Sequence, residues 1–327
     1  MRRRTQRSWH GPRLDFLPLL PDQRLRDGQF RIVRKLGWGG HSAVWLAHEP
    51  LLQRYVAIKA LTAHATKEHG SGRFDEIKLL ERVRAAEPTH PGHKHCSQII
   101  DPFRTTSSHG DHICIVTEAL GLDLDRFRMH FAKRKLPVPL VKRLVKQILL
   151  ALDYLHRGCG IIHTANWIDK HLREEIQPLA FRAPEVVMGY PWGTPADIWS
   201  VGCLTFEYFA GVGLVPLHDA SQFKTGTILD ALLARILQTS IDSVYPQEMV
   251  AAPTDRDLFF TSQGLLRRFR PGPKTDLAAV LRRFGIPDDE VSPTLAFIRR
   301  CIRVKPEDRP TAQKLLQDPY TNCFKVN

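Results

Sequence analysis

Leu36-Gly37-Trp38-Gly39-Gly40-His41-Ser42-Ala43-Val44, followed on the next apolar run by Val56-Ala57-Ile58-Lys59, decides the reading of this chain. The glycines separate a partly alternating stretch, Phe30 to Leu36, from a second apolar run, Ala43 to Ala47. That spacing predicts two strands joined by a glycine turn, with a third strand over Tyr55 to Leu61. Small residues in such a turn let backbone N–H groups approach an anion, and a branched residue such as Val44 can cover a base. Taken alone, the glycines equally describe an ordinary hairpin turn. Lys59 narrows the choice, because a lysine closing an apolar strand costs free energy unless anions meet it. Phosphates and the acid Glu76 on the following helical segment would do so; for Lys59 by itself, a snorkelling head is the plain alternative.

Working outward, the 327 residues are 43% hydrophobic and 25% charged, enough for one large or two modest domains with a sizeable core. Cys96, Cys114, Cys159, Cys203, Cys301 and Cys323 form no Cys-x-x-Cys pair, which argues against a zinc site and a disulfide framework and fits the cytosol or nucleus. No run approaches the roughly 18 uninterrupted apolar residues of a membrane helix, since Lys146, Gln147 and Asp153 break the stretch from Leu144 to Leu155. A soluble protein without a membrane partner is expected. The net charge of +13 suits a polyanion, and much of it falls in three places: Arg2 to Arg13, Arg267 to Lys274, and Arg299 to Lys305. Separate clusters also describe solvated faces and a tail. The Arg-rich start is similar to a transit peptide or a nuclear signal and lacks the apolar core of a secretory one.

Residues 1–28, with Pro12, Pro18 and Pro21, read as a basic disordered leader. A helix is expected from Arg73 to Ala86, where Phe74, Ile77, Leu80 and Val83 share a face, and a strand over Ile113 to Thr117. Helices are expected near Leu124 to Lys135, over Pro139 to His156, and over 195–210, 226–239, 275–284, 292–303 and 310–317. A strand-rich lobe at 29–120 would therefore precede a larger helical lobe at 121–322, an α+β architecture in two lobes.

Glycine turn, strand lysine and helix glutamate in this order resemble a eukaryotic protein kinase. Lys35-Leu36-Gly37-Trp38-Gly39, Ser42-Ala43-Val44-Trp45-Leu46-Ala47, Asp75-Glu76-Ile77-Lys78-Leu79-Leu80, His112-Ile113-Cys114-Ile115-Val116 and Ala151-Leu152-Asp153-Tyr154-Leu155-His156 are similar to the SR-protein kinases of the CMGC group. The resemblance runs from about Gly28 to Tyr320. It implies a serine/threonine kinase that uses ATP and Mg²⁺, phosphorylates Arg/Ser-rich proteins and acts in mRNA splicing regulation. It also implies an ATP site made by Leu36, Gly37, Trp38, Gly39, Gly40, His41, Ser42, Ala43, Val44, Ala57, Lys59 and Glu76, with Thr117 as gatekeeper and Glu118, Ala119 and Leu120 as hinge.

The centre departs from that pattern. Ile161-Ile162-His163-Thr164 reads as the lead-in to a catalytic loop, yet Ala165 follows where the resemblance implies an aspartate. Phosphoryl transfer also needs an asparagine and a second aspartate on Mg²⁺. Ala165-Asn166-Trp167-Ile168-Asp169-Lys170-His171 instead resembles the family's sequence beyond the metal-binding triplet. The expectation is a clean internal excision at Thr164/Ala165, leaving no identifiable catalytic residue and no metal ligands. Recruitment of Asn166 or Asp169 is disfavoured, because base and metal ligands must lie within about 3 Å of their targets.

Downstream, Ala183-Pro184-Glu185 and Asp197-Ile198-Trp199-Ser200 resemble the end of the activation segment and the next helix, and Glu185 is expected to form a structural ion pair with Arg309. Phe223-Lys224-Thr225-Gly226-Thr227 stands where the group is typically acidic, a departure that weighs against an Arg/Ser-rich substrate. Three functions follow: an impaired kinase, a pseudokinase that binds a nucleotide or a protein partner without turnover, and a basic nucleic-acid-binding protein.

Overall fold

The computed structural model describes residues 15–69, 75–162, 165–166, 176–215, 228–251 and 256–322. The chain divides into two units: one runs to Ala85 and resumes over Ser97–Gly121, and the other holds Ala86–Cys96 and the chain from Leu122 onward. The segment 86–96, expected in the first lobe, thus belongs to the second. Its Gly92 explains why: a Cβ there would lie 1.9 Å from the Leu150 carbonyl oxygen, so only glycine permits this approach.

The first unit is an antiparallel sheet built from β1 (Arg24–Leu25), β2 (Phe30–Trp38), β3 (Ser42–Glu49), β4 (Arg54–Leu61), β5 (Ile99–Ser107) and β6 (Gly110–Glu118), in the order β1-β2-β3-β4-β6-β5. Period-two alternation gives the sheet two faces. On one, Phe30, Ile32, Ala43, Trp45, Val56 and Ile58 form a core with Leu17, Leu19 and Leu25. The expected leader therefore ends earlier than residue 28, because those three leucines need burial that a disordered tail does not give. On the other face, Leu61, Ile99, Ile113 and Ile115 pack with Ala65 of α1 (Ala63–His69) and with Ile77 and Leu80 of α2 (Glu76–Ala85). Residues 73 and 74 of the expected helix lie outside the described residues.

The second unit is helical. It comprises α3 (Leu124–Arg128), α4 (Val138–Asp153), α5 (Pro184–Met188), α6 (Thr194–Ala210), α7 (Ile228–Thr239), α8 (Gln247–Ala251), α9 (Arg256–Phe259), α10 (Leu277–Arg283), α11 (Asp288–Cys301), α12 (Ala312–Leu316) and α13 (Pro319–Asn322). One core joins them, centred on Trp199, Phe209, Phe297 and Leu149. The helix expected to reach Lys135 stops at Arg128, and the chain then passes through left-handed Lys133 and Arg134. Gly202 lets α6 and α11 approach, since a Cβ there would meet Cys301 and Ile302 at 2.8 and 2.7 Å.

Two short strands, β7 (Ile161–Ile162) and β8 (Ala165–Asn166), pair antiparallel with Ile161 opposite Asn166 and Ile162 opposite Ala165. Strand β8 begins at Ala165, and residues 163–164 lie outside the described residues.

Candidate functional site

The nucleotide residues read from the sequence all fall in the first unit. Strands β2 and β3 meet across the glycine turn, with Gly37 opposite Val44 and Trp38 opposite Ala43, and the Gly39 N–H donates to the Ser42 carbonyl at 2.9 Å. Gly37, Gly39 and Gly40 have no left-handed φ, and a Cβ at any of them would meet nothing within 4 Å. Neither backbone strain nor protein packing calls for glycine here, so the demand for small residues fits something that approaches from outside, such as a phosphate chain.

Cross-strand pairing sets which side chains share the face beside this turn. Val44 lies opposite Lys59, Leu46 opposite Ala57, Ala57 opposite Thr117 and Lys59 opposite Ile115. Lys59 donates to both Glu76 oxygens, at 2.6 and 2.8 Å, across to the first turn of α2. Its side chain is 35% exposed, so the ammonium is held in place and remains accessible. A snorkelling head does not describe such a lysine. The face thus presents a fixed cation, a branched residue and a small alanine, a donor set that fits a nucleotide's phosphates and base.

Two residues assigned to the site by resemblance do not bring their side chains to it. Ala43 is buried in the opposite core, and Trp38, its cross-strand partner, stacks with the Lys35 ammonium at 5.1 Å on that same side. Alternation imposes this, so Trp38 and Ala43 can serve through their backbone only. His41 and Ser42 continue the turn, Leu36 is half-buried before it, and Glu118 and Leu120 are exposed at the end of β6. Thr117 donates to its neighbour's carbonyl, Glu118 O, at 3.3 Å. Leu46, two residues along β3 from Val44 and opposite Ala57, shares this face and escaped the sequence reading; its place in the alternation was the available signal.

In the second unit, Arg309 is fully buried and spends all five N–H donors. Nη1 and Nη2 donate to the two Glu185 oxygens at 2.6 and 2.8 Å, and the remaining donors go to the carbonyls of Pro195, Val304 and Arg303. Its guanidinium also lies 5.0 Å from the Trp199 ring centroid. Beside it, His156 Nε2 and the Asp197 carboxylate meet at 2.9 Å, both buried. A further residue, Gln177, escaped the sequence reading. Its amide donates to Ala196 O and Ser200 Oγ at 2.7 and 2.8 Å and accepts from the Ala183 N–H at 3.0 Å, tying the Ala183-Pro184-Glu185 segment to α6.

A protein kinase domain model matches this chain over residues 30–165 and 166–321. The chain belongs to the protein kinase family. Among its relatives, the serine/threonine-protein kinase SRPK of Physarum polycephalum is 29% identical over 375 residues, which cover 89% of this chain and 85% of that protein. The SRSF protein kinase 3 of Mus musculus is 43% identical over 142 residues, 43% of this chain and 24% of its own length. The protein kinase dsk1 of Schizosaccharomyces pombe is 37% identical over 147 residues, 45% of this chain and 27% of its own. The matched part thus spans about a quarter of the length of these last two kinases. By these kinships the chain is an SRPK-like member of the serine/threonine protein kinases, a family that generally uses ATP and Mg²⁺.

Among the described residues, no group of three or more His, Cys, Asp or Glu side chains gathers as a metal site. The side chains of Asn166 and Asp169 lie outside the described residues. No helix among the described residues is long and apolar enough to cross a membrane.

Proposed function

We propose that this chain binds ATP through its first unit and does not turn it over, as a nucleotide-binding pseudokinase of SRPK-like descent. The observation that carries the reading is Lys59, fixed by Glu76 beside a glycine turn whose glycines face open space. In this reading Lys59 neutralises the α/β-phosphates, turn N–H groups cradle them, and the backbone of Glu118 to Leu120 takes the adenine. The lack of turnover is read from Thr164 running directly into Ala165, where a proton acceptor is required.

An internal excision is supported by two further facts. The family model matches in two segments that meet at 165/166, one residue from the junction. The alignment to the Physarum kinase runs over 375 residues, more than the 327 of the whole chain, so that kinase carries segments within the match that have no counterpart here. Mg²⁺ would need octahedral oxygen ligands that the excised stretch supplies in the family.

A protein partner follows from the kinship, and its specific form would be an SRSF protein, which the name of one relative supports. Residence in cytoplasm or nucleus fits the scattered cysteines. The alternative, a working serine/threonine kinase, is favoured by the intact Lys59–Glu76 pair. Sequencing transcript across codons 164 and 165 separates them: an insert that encodes His-Thr-Asp and a downstream Asp-Leu-Gly restores the enzyme, and its absence leaves the pseudokinase.

A further inference from the structure

We infer that a cavity beside α7 is a docking site for an acidic segment of a protein partner. The cavity has a volume of about 560 Å³ and is walled by apolar residues, including Val244, Leu265 and Phe269, with Arg267, Arg268 and Arg270 along it and no acidic residue in its lining. A small hairpin builds one side. Phe260 bridges to Leu266, Thr261 N–H donates to Leu265 O at 2.8 Å, and Gly264 makes the turn at φ +77°, where other residues would be strained.

The three arginines are held by few contacts. Arg267 donates one N–H to Phe260 O at 3.1 Å, and Arg268 pairs with the buried Asp230 of α7 at 2.8 Å. Arg270 is exposed and has no ion-pair partner among the described residues. A guanidinium carries five donors, so Arg267 and Arg270 keep most of their forks for a carboxylate from outside, whereas the charge of Arg268 is met by Asp230. Several other cations of the second unit already have partners. Arg303 meets Asp242 and Asp308, Lys305 meets Glu248, Arg300 meets Asp318, and Lys274 donates to the carbonyls that end α7. Arg267 and Arg270 thus bring two cations without an ion-pair partner among the described residues to a cavity that has no acidic residue in its lining.

The same rim is apolar where a soluble surface is ordinarily polar: Val244 is 65% and Leu265 56% exposed. Exposed aliphatics next to the guanidinium groups of Arg267 and Arg270 match a peptide that alternates apolar and acidic side chains. RNA is a poorer match. Single strands ask for exposed aromatic faces on which bases stack, whereas Tyr245 is buried with its hydroxyl donating to Leu233 O at 2.8 Å. The inference goes beyond nucleotide binding and holds whether or not phosphate is transferred.

The test uses the full chain and a fluorescein-labelled synthetic peptide of alternating leucine and glutamate, followed by anisotropy. Its Glu→Gln counterpart, its Glu→Lys counterpart and an oligouridine of equal charge serve as competitors. The expected result is that the acidic peptide binds at least about tenfold more tightly than the Gln form and weakens with salt. Arg270→Ala and, separately, Val244→Asp should each reduce its affinity by roughly five- to tenfold, as for contacts at an interface core. Arg282→Ala, remote in sequence and paired with Asp288, should leave it unchanged. Equal binding of acidic and Gln peptides, affinity unmoved by both cavity variants, or oligouridine outcompeting the peptide with the same sensitivity to Arg270→Ala would each overturn the proposal. ATP binding, read in the same samples through Tm, is expected to be unaffected by the cavity variants, which keeps this outcome separate from that of the nucleotide site.

Discussion

Arg309 and Glu185 face each other as a two-point ion pair, 2.6 and 2.8 Å apart, with neither side chain exposed to water. The pair joins the 183–185 segment to the stretch before α12, and every guanidinium N–H has an acceptor. Removing one partner strands the other charge without solvent. Arg309→Met should therefore cost about 3–5 kcal/mol of unfolding free energy in urea titration. The double variant Arg309→Met/Glu185→Gln should recover part of that loss; equal stability of the single variant and the parent would show that the pair carries no such role.

Gln177 acts at the same place by hydrogen bonding rather than charge. Truncation in Gln177→Ala leaves the buried Ala183 N–H without its acceptor, a loss of about 1–3 kcal/mol. Chemical denaturation measures it, and Gln177→Glu, which sets a buried carboxylate against Ala196 O, should lose more than Gln177→Ala.

The glycines separate packing from ligand approach. Gly202→Ala places a methyl 2.7 Å from Ile302 Cγ2 and should destabilise the second unit by about 1–3 kcal/mol. Gly39→Ala meets no protein atom within 4 Å and should change stability by less than about 0.5 kcal/mol. It should nonetheless weaken ATP binding by roughly tenfold, about 1.4 kcal/mol. Calorimetric titration beside thermal melts reads both effects.

Acid sensitivity is expected from Glu49. Burial acts to raise its carboxyl, but hydrogen bonds from Gln29 and Arg54, together with the Arg54 charge, outweigh it and hold the group below its ordinary range. A depressed folded-state pKa stabilises the protein at pH above the unfolded value, and that contribution disappears as the pH drops through the folded one. Stability should thus fall on the acid side, and Glu49→Gln should flatten that limb; an unchanged acid slope in the variant would remove Glu49 from the account.

Much of the first unit could be read because its signals are local. Lys59, Glu76 and the glycines keep a fixed order, and β2, β3, β4 and β6 follow the apolar alternation. Strand β5 went unread because Pro102 sits in it; the sheet order puts β5 at an edge, where a missing N–H is tolerated. Pro293 likewise hid the true start of α11 at Asp288, one residue after the extended Pro287. Leu17 and Leu19 carried no periodicity among their prolines, and only tertiary burial reveals their place. The side-chain faces of Trp38 and Ala43 depended on strand register, which bulges between Ile32 and Arg34 and between Lys35 and Gly37 shift along β2. Gln177 owes its role to a left-handed backbone at φ +67° that no pattern announces.

The most direct test pairs ATP-dependent melting with phosphate transfer on the same purified chain. ATP at a hundred times its Kd should stabilise the protein by about 2.7 kcal/mol. Lys59→Ala should abolish that shift, and no labelled phosphate should reach a protein or peptide hydroxyl. Transfer at the roughly 1–100 per second ordinary for kinases, lost in Lys59→Ala, would contradict the pseudokinase reading.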